Sequence, residues 1–197
     1  MLIMPYRFGK KSNHNMKKLG FTLIELIVSV SVISMVTGIF LANYNSTNRR
    51  SDLTMTAQKM VADIRLAQNY ALGLARYGLS GSLNVPEGGW GVHFDLQSYG
   101  NDRYIIFADD NFNRVFDLAE AEISYGAQLT SLPKDIVIES LSSGSKADIT
   151  FLPPDPITTI TGSASNFEQV DIVLKDLKTN TTKTVRINYL GLTEVLN

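Results

Sequence analysis

Phe21 to Tyr44 (FTLIELIVSVSVISMVTGIFLANY) is an apolar run of 24 residues with a single charge, Glu25. No other feature of the chain limits its fold as strongly. A helix needs roughly 20 apolar residues to cross the hydrocarbon core of a bilayer, and this run is long enough. Arg7, Lys10, Lys11, Lys17 and Lys18 precede it, with no acid among residues 1–20, which sets that flank in the cytoplasm by the positive-inside rule. Asn43, Asn45, Asn48, Arg49 and Arg50 make a polar exit. The run exceeds a typical signal-peptide h-region, and no small-x-small cleavage site follows it. It therefore reads as a single-pass anchor, with its N-terminus cytoplasmic and the rest of the chain outside. Glu25 does not fit a plain anchor. An ionisable side chain in a membrane segment costs about 2.5 kcal/mol or more at mid-bilayer and less near its end, and it calls for a partner.

Beyond the polar exit the pattern becomes amphipathic. Leu53, Ala57, Met60, Val61, Ile64, Ala67, Ala71, Leu74 and Ala75 recur mostly at spacings of three and four, one apolar stripe along a helix. No proline falls between residues 6 and 85, so one helix from Phe21 to about Arg76 is expected, with Gly78 as its stop. Gly38 is the only weak point in its anchor half. The stripe reads as core, packed on a sheet.

From Gly78 onward the period changes to two. GGWGVHFDL (Gly88–Leu96), DRYIIFAD (Asp102–Asp109), DIVIESL (Asp135–Leu141), ADITFL (Ala147–Leu152), FEQVDIVL (Phe167–Leu174) and KTVRINYLG (Lys183–Gly191) are short β-branched and aromatic runs separated by turn residues. KDLKTNTTK between the last two reads as a hairpin connection. LPPDP (Leu152–Pro156) ends a strand and opens a polar loop that runs to Asn166. The expected class is α+β: a long N-terminal helix, half anchor and half amphipathic, packed on a C-terminal antiparallel domain of one sheet or two small ones. The expected divisions are 1–20, 21–44, 45–77 and 78–197.

Composition narrows the chemistry. There is no cysteine, which excludes disulfides, thiolate metal sites and cysteine nucleophiles. Residues 21–197 carry thirteen basic against nineteen acidic residues, a balance that disfavours sequence-independent nucleic-acid binding. The two histidines are His14, before the anchor, and His93 on an expected strand. A lone histidine is a weak basis for a Ser-His-Asp triad, and a structural or surface role is expected for His93. No phosphate-binding glycine loop or zinc spacing occurs, so no enzyme is expected and no cofactor is required.

One segment carries metal-ligand spacing. In DDNFNRVFDLAE, counted from Asp109, oxygen-bearing side chains fall at positions 1, 3, 5, 9 and 12: Asp109, Asn111, Asn113, Asp117 and Glu120. Val115 offers a backbone carbonyl at position 7. This is the spacing of a calcium loop. Position 6 is Arg114 rather than glycine, two ligands are neutral asparagines, and a strand rather than a helix leads in. The competing reading is a solvated acidic turn.

The stretch KKLGFTLIEL (Lys17–Leu26) resembles the prepilin motif of type IV pilins and type II secretion pseudopilins: a basic leader, Gly20, Phe21, Glu25 and a long apolar helix. The resemblance implies a leader of residues 1–20, cleavage between Gly20 and Phe21 by a membrane-embedded prepilin peptidase, and methylation of the new amine at Phe21. It further implies that Glu25 attracts the N-terminal amine of a neighbouring subunit during assembly. Implied partners are the peptidase, other pilin or pseudopilin subunits and an inner-membrane assembly platform; the implied location is the inner membrane, then a filament. A Trp-Gly-Val strand, a Phe-x-Asp strand running into an Asp/Asn-rich loop and a terminal NYLGLTEV strand are similar to H-type minor pseudopilins and their minor-pilin relatives, the GspH/FimT group. Two other readings stay open: a minor pilin for DNA uptake or adhesion, and a membrane-anchored calcium-binding or sensor domain that never polymerises.

Overall fold

The computed structural model describes residues 20–78, 83–121, 127–153, 157–163 and 167–196, with residues 42–49 described by their backbone alone. Residues 1–19, which hold most of the expected leader, lie outside these. The chain divides into two compact units, 1–43 and 44–197.

Helix α1 spans Leu23–Leu72. Its start is set locally. The hydroxyl of Thr22 accepts the backbone N–H of Glu25 at 3.3 Å, the first half of a Thr-x-x-Glu capping box. Within the first unit every side chain from Leu23 to Leu41 is exposed, and this 19-residue stretch has a mean hydropathy of 2.2. Its three serine hydroxyls are satisfied within the helix: Ser29, Ser31 and Ser34 each donate to the carbonyl four residues back, at 2.7–2.8 Å. A polar side chain that closes on its own backbone needs no water, so the segment suits an apolar surround on all sides. The helix runs through Gly38 unbroken.

In the second unit, Leu53, Ala57, Met60, Val61, Ile64, Ala67 and Ala71 are buried as the stripe requires. The helix stops earlier than expected. Leu74 takes a left-handed φ of 49°, while Ala75 N–H bonds the Tyr70 carbonyl and Gly73 N–H that of Asn69, each at 2.8 Å. This is a Schellman-type end. It turns Leu74 out to solvent, and Gly78 comes too late to be the stop.

Nine strands follow among the described residues: β1 Gly89–Asp95, β2 Arg103–Asp109, β3 Gln128–Ser131, β4 Ile136–Leu141, β5 Lys146–Leu152, β6 Ile157–Gly162, β7 Gln169–Asp176, β8 Thr182–Asn188 and β9 Thr193–Leu196. They form two antiparallel sheets, ordered β3-β2-β1-β5-β6 and β4-β7-β8-β9. The fold is α+β. The connection after Leu152, expected as a polar loop to Asn166, contains β6, an edge strand paired with β5 from Ala147↔Gly162 to Leu152↔Ile157. The terminal NYLGLTEV segment is a turn at Tyr189–Gly191 followed by β9.

One core cluster joins the helix stripe to Trp90, Val92, Phe94, Tyr104, Ile106, Ile149 and Phe151 of the large sheet and to Ile138, Ile172, Leu174, Val185 and Ile187 of the small one. Alternate residues of β1, β2 and β5 point to the other face of the large sheet. There Ile105, Phe107 and Phe116 form a second, smaller cluster. Phe116 belongs to the segment that follows β2, so the candidate calcium loop is fastened to the sheet by its own aromatic side chain.

Candidate functional site

The residues expected to serve processing and assembly, Gly20, Phe21 and Glu25, lie together at the start of α1. Gly20 and Phe21 precede the helix, and both are exposed, Phe21 to 80%. Glu25 lies in the first helical turn, where the unpaired N–H groups and the helix dipole favour a negative charge. Its side chain is exposed like those around it. The Thr22-x-x-Glu25 pattern is itself a helix-start signal, in which the Thr22 hydroxyl caps the backbone N–H of Glu25.

The Asp109–Glu120 loop is organised around its first and last residues. β2 delivers Asp109 fully buried against Gly88. Gly88 has to be glycine for space, because an added Cβ would fall 2.0 Å from Asp109 Oδ2. Asp109 Oδ2 accepts the N–H of Arg114 at 2.8 Å, and Oδ1 has no hydrogen-bond partner. Burial pushes the Asp109 carboxyl up, against the opposing pull of backbone N–H groups from Asn111 to Arg114.

The chain turns twice to make this cradle. Phe112 and Arg114, positions 4 and 6, have left-handed φ values of 61° and 62°. The second is strained for a residue with a Cβ. The arginine nevertheless keeps its charge clear of the loop: Nη1 donates to Thr159 on β6 at 2.9 Å, and the guanidinium carbon stands 5.4 Å over the Phe112 ring.

The remaining candidates close the loop. Asn111 Oδ1 accepts the N–H of Asn113 at 3.0 Å, and Asn113 Oδ1 that of Val115 at 2.9 Å. Their amide nitrogens both donate to Asp117 Oδ2, at 2.6 and 2.7 Å. A single 3₁₀ turn, Leu118–Ala121, returns Glu120 to the start. Glu120 is 3% exposed; its two oxygens accept the N–H groups of Asp110 at 3.1 Å and Asp117 at 3.0 Å. Burial first, then the charges of Asp109 and Asp117, push its carboxyl up to about 7. Among the described residues no three histidine or acidic side chains already stand in metal-holding positions. The loop backbone takes the calcium-loop turns while its side chains bond to one another.

His93 is buried, not on the surface. It lies directly across from Ile105 on β2 and Asp148 on β5. Its Nδ1 is 2.6 Å from Asp148 Oδ1. The ring stacks on Phe116 with centroids 4.4 Å apart. Nε2 has no hydrogen-bond partner, and the hydroxyl of nearby Ser98 faces Asp95 instead. Asp148 orients the imidazole, no hydroxyl among the described residues bonds to Nε2, and the ring ties β1 and β5 to the loop.

Among known families, residues 15–41 match the model described as the prokaryotic N-terminal methylation motif. No curated protein and no solved structure matches the chain. The matched segment includes Gly20, Phe21 and Glu25 and ends at the last residue of the exposed apolar stretch.

Proposed function

We propose that this chain, a type IV prepilin-like protein by its N-terminal methylation motif, is a minor pseudopilin of a type II secretion pseudopilus or a minor subunit of a type IV pilus. The motif and the apolar stretch near the N-terminus fit an inner-membrane-anchored pilin, and they point to a structural subunit rather than an enzyme. In the proposed pathway a prepilin peptidase cuts between Gly20 and Phe21, the new amine is methylated, and the chain joins its filament through the anchor half of α1. An assembly platform in the inner membrane and neighbouring pilin subunits complete the set of partners.

One observation carries this reading. The stretch Leu23–Leu41 has no buried residue in the isolated chain, yet it holds a carboxylate four residues from the proposed cut. Lipid would cover the apolar side chains but leave Glu25 without a counter-charge. Sister helices would cover them as well, and a neighbour's amine would neutralise Glu25. At low dielectric an opposite charge a few ångströms away is strongly favoured, whereas a lone carboxylate is costly. Glu25 would thus favour the filament over the membrane.

The test is direct. Incubating the full chain in membranes with a prepilin peptidase and a methyl donor should give a product whose first residue is N-methylated Phe21. An intact leader, or a cut elsewhere, sinks the proposal. Glu25→Ala should still be cleaved but should fail to enter filaments. Unimpaired incorporation would instead favour a tethered domain that does not polymerise.

A further inference from the structure

We propose that the Asp109–Glu120 loop is a calcium site of the globular domain, with Asp109, Asn111, Asn113, Asp117 and Glu120 as side-chain ligands and the carbonyl of Val115 as the sixth. The inference stands apart from filament assembly: none of these residues belongs to α1 or to the methylation motif.

The spacing alone would leave an acidic turn as an equal reading. The buried carboxylate of Asp109 separates the two. It is fully enclosed between Gly88 and the loop backbone, with Oδ2 held by Arg114 N–H and Oδ1 left without a partner. A buried carboxylate oxygen with no donor is costly, and a solvated turn would have no reason to bury one. A cation in the loop would satisfy it.

The rest of the loop is consistent with that occupant. The two oxygens of Glu120 accept the N–H groups of Asp110 and Asp117, which brings the last ligand position back to the first. The amide nitrogens of Asn111 and Asn113 direct their positive ends at one oxygen of Asp117. These three candidate ligands therefore already stand together on the open side of the loop. The left-handed turns at positions 4 and 6 are already made, and Arg114 is held away on β6 and the Phe112 ring.

The side chains need to move to converge on an ion, which selects the metal. Ca²⁺ accepts six to eight oxygens in flexible geometry, whereas Mg²⁺ demands a tight octahedron and gives up its waters reluctantly. With three charged and two neutral side-chain ligands, an affinity in the weak range of modules facing the outside, roughly 0.1–1 mM, is expected.

The full chain in detergent micelles, freed of metal by a chelator, would be titrated calorimetrically with CaCl₂ and separately with MgCl₂, and its melting followed by Trp90 fluorescence. The expected result is a saturable one-site calcium isotherm, a raised melting midpoint and a much weaker response to magnesium. Asp109 is buried and its replacement threatens the fold, so the decisive variants are at Asp117 and Asn113, on the open side of the loop. Asp117→Asn should weaken binding by roughly tenfold or more, and Asn113→Asp, which adds a charged ligand, should tighten it by a similar factor. Two outcomes would overturn the proposal: no saturable heat and no shift in midpoint at about 10 mM Ca²⁺, or a calcium isotherm that neither variant alters.

Discussion

Removing one hydroxyl, by Tyr104→Phe, tests how α1 is locked to the large sheet. Tyr104 lies on β2 and is 2% exposed. Its hydroxyl donates to Asp63 Oδ2 on the helix at 2.5 Å. Burial first, then the Asp63 carboxylate, raise the phenol well above its usual range, so it remains a neutral donor at any accessible pH. A hydrogen bond to a charged group contributes about 1.5–3 kcal/mol. The Asp63 side chain keeps 17% of its surface in water and an ion pair with Lys59 at 3.4 Å, so it is not stranded when the hydroxyl goes. The phenylalanine ring fills the same space, and no cavity opens. The loss should therefore sit at the low end, about 1.5 kcal/mol. Denaturant unfolding of the full chain can be followed through Trp90, the only tryptophan, which is 4% exposed and donates to the Ala75 carbonyl at the end of the helix at 3.0 Å. A cycle with Asp63→Ala should return a coupling of about 1 kcal/mol or more, since residues in direct contact are not additive. Additivity within roughly 0.3 kcal/mol would refute the reasoning and remove this hydrogen bond from the contacts that hold the helix.

Other perturbations probe the remaining links. Ile64→Ala, in the middle of the buried stripe, should destabilise the domain by about 2–5 kcal/mol, read from the same unfolding curves. Gly88→Ala should cost roughly 2 kcal/mol or more through overpacking, because the new methyl meets the Asp109 carboxylate, and it should also weaken any calcium response. Acid should act partly through Asp171. Two hydrogen bonds from Arg186, at 2.7 and 2.8 Å, hold its carboxyl below the ordinary value of 3.8. A depressed carboxylate stabilises fully above its unfolded value and loses that contribution as pH falls through the folded one. Stability measured from pH 6 down to about 2 should therefore drop below about 4, and Asp171→Asn should flatten that drop.

How much of this was legible in the chain depended on whether the signal was local. The apolar stretch and the methylation motif are contiguous text. They needed only a hydropathy run, a basic flank and the residues around Gly20, and their reading does not depend on any distant contact. The stripe from Leu53 to Ala71 was equally plain, because helical periodicity survives in sequence whatever it packs against. So were the six longer strands, with their runs of β-branched and aromatic residues. β3 and β6 were not. Gln128–Ser131 is four residues long at a sheet edge, and the threonines of Ile157–Gly162 look like loop until β5 supplies their hydrogen bonds. The helix end escaped for a related reason: Leu74 accepts a left-handed backbone that glycine usually takes, since the cap's hydrogen bonds offset the strain.

Only the tertiary structure decided which residues share a place. Strands β1 and β5 are distant in the chain, and only their pairing sets His93 beside Asp148. Only the close approach of Gly88 shows why Asp109 is buried with an oxygen left over. Spacing named the candidate ligands, but only burial shows that Asp109 is enclosed rather than dissolved in water. Burial is a property of the assembled sheets, summed over contacts that no single stretch of sequence contains.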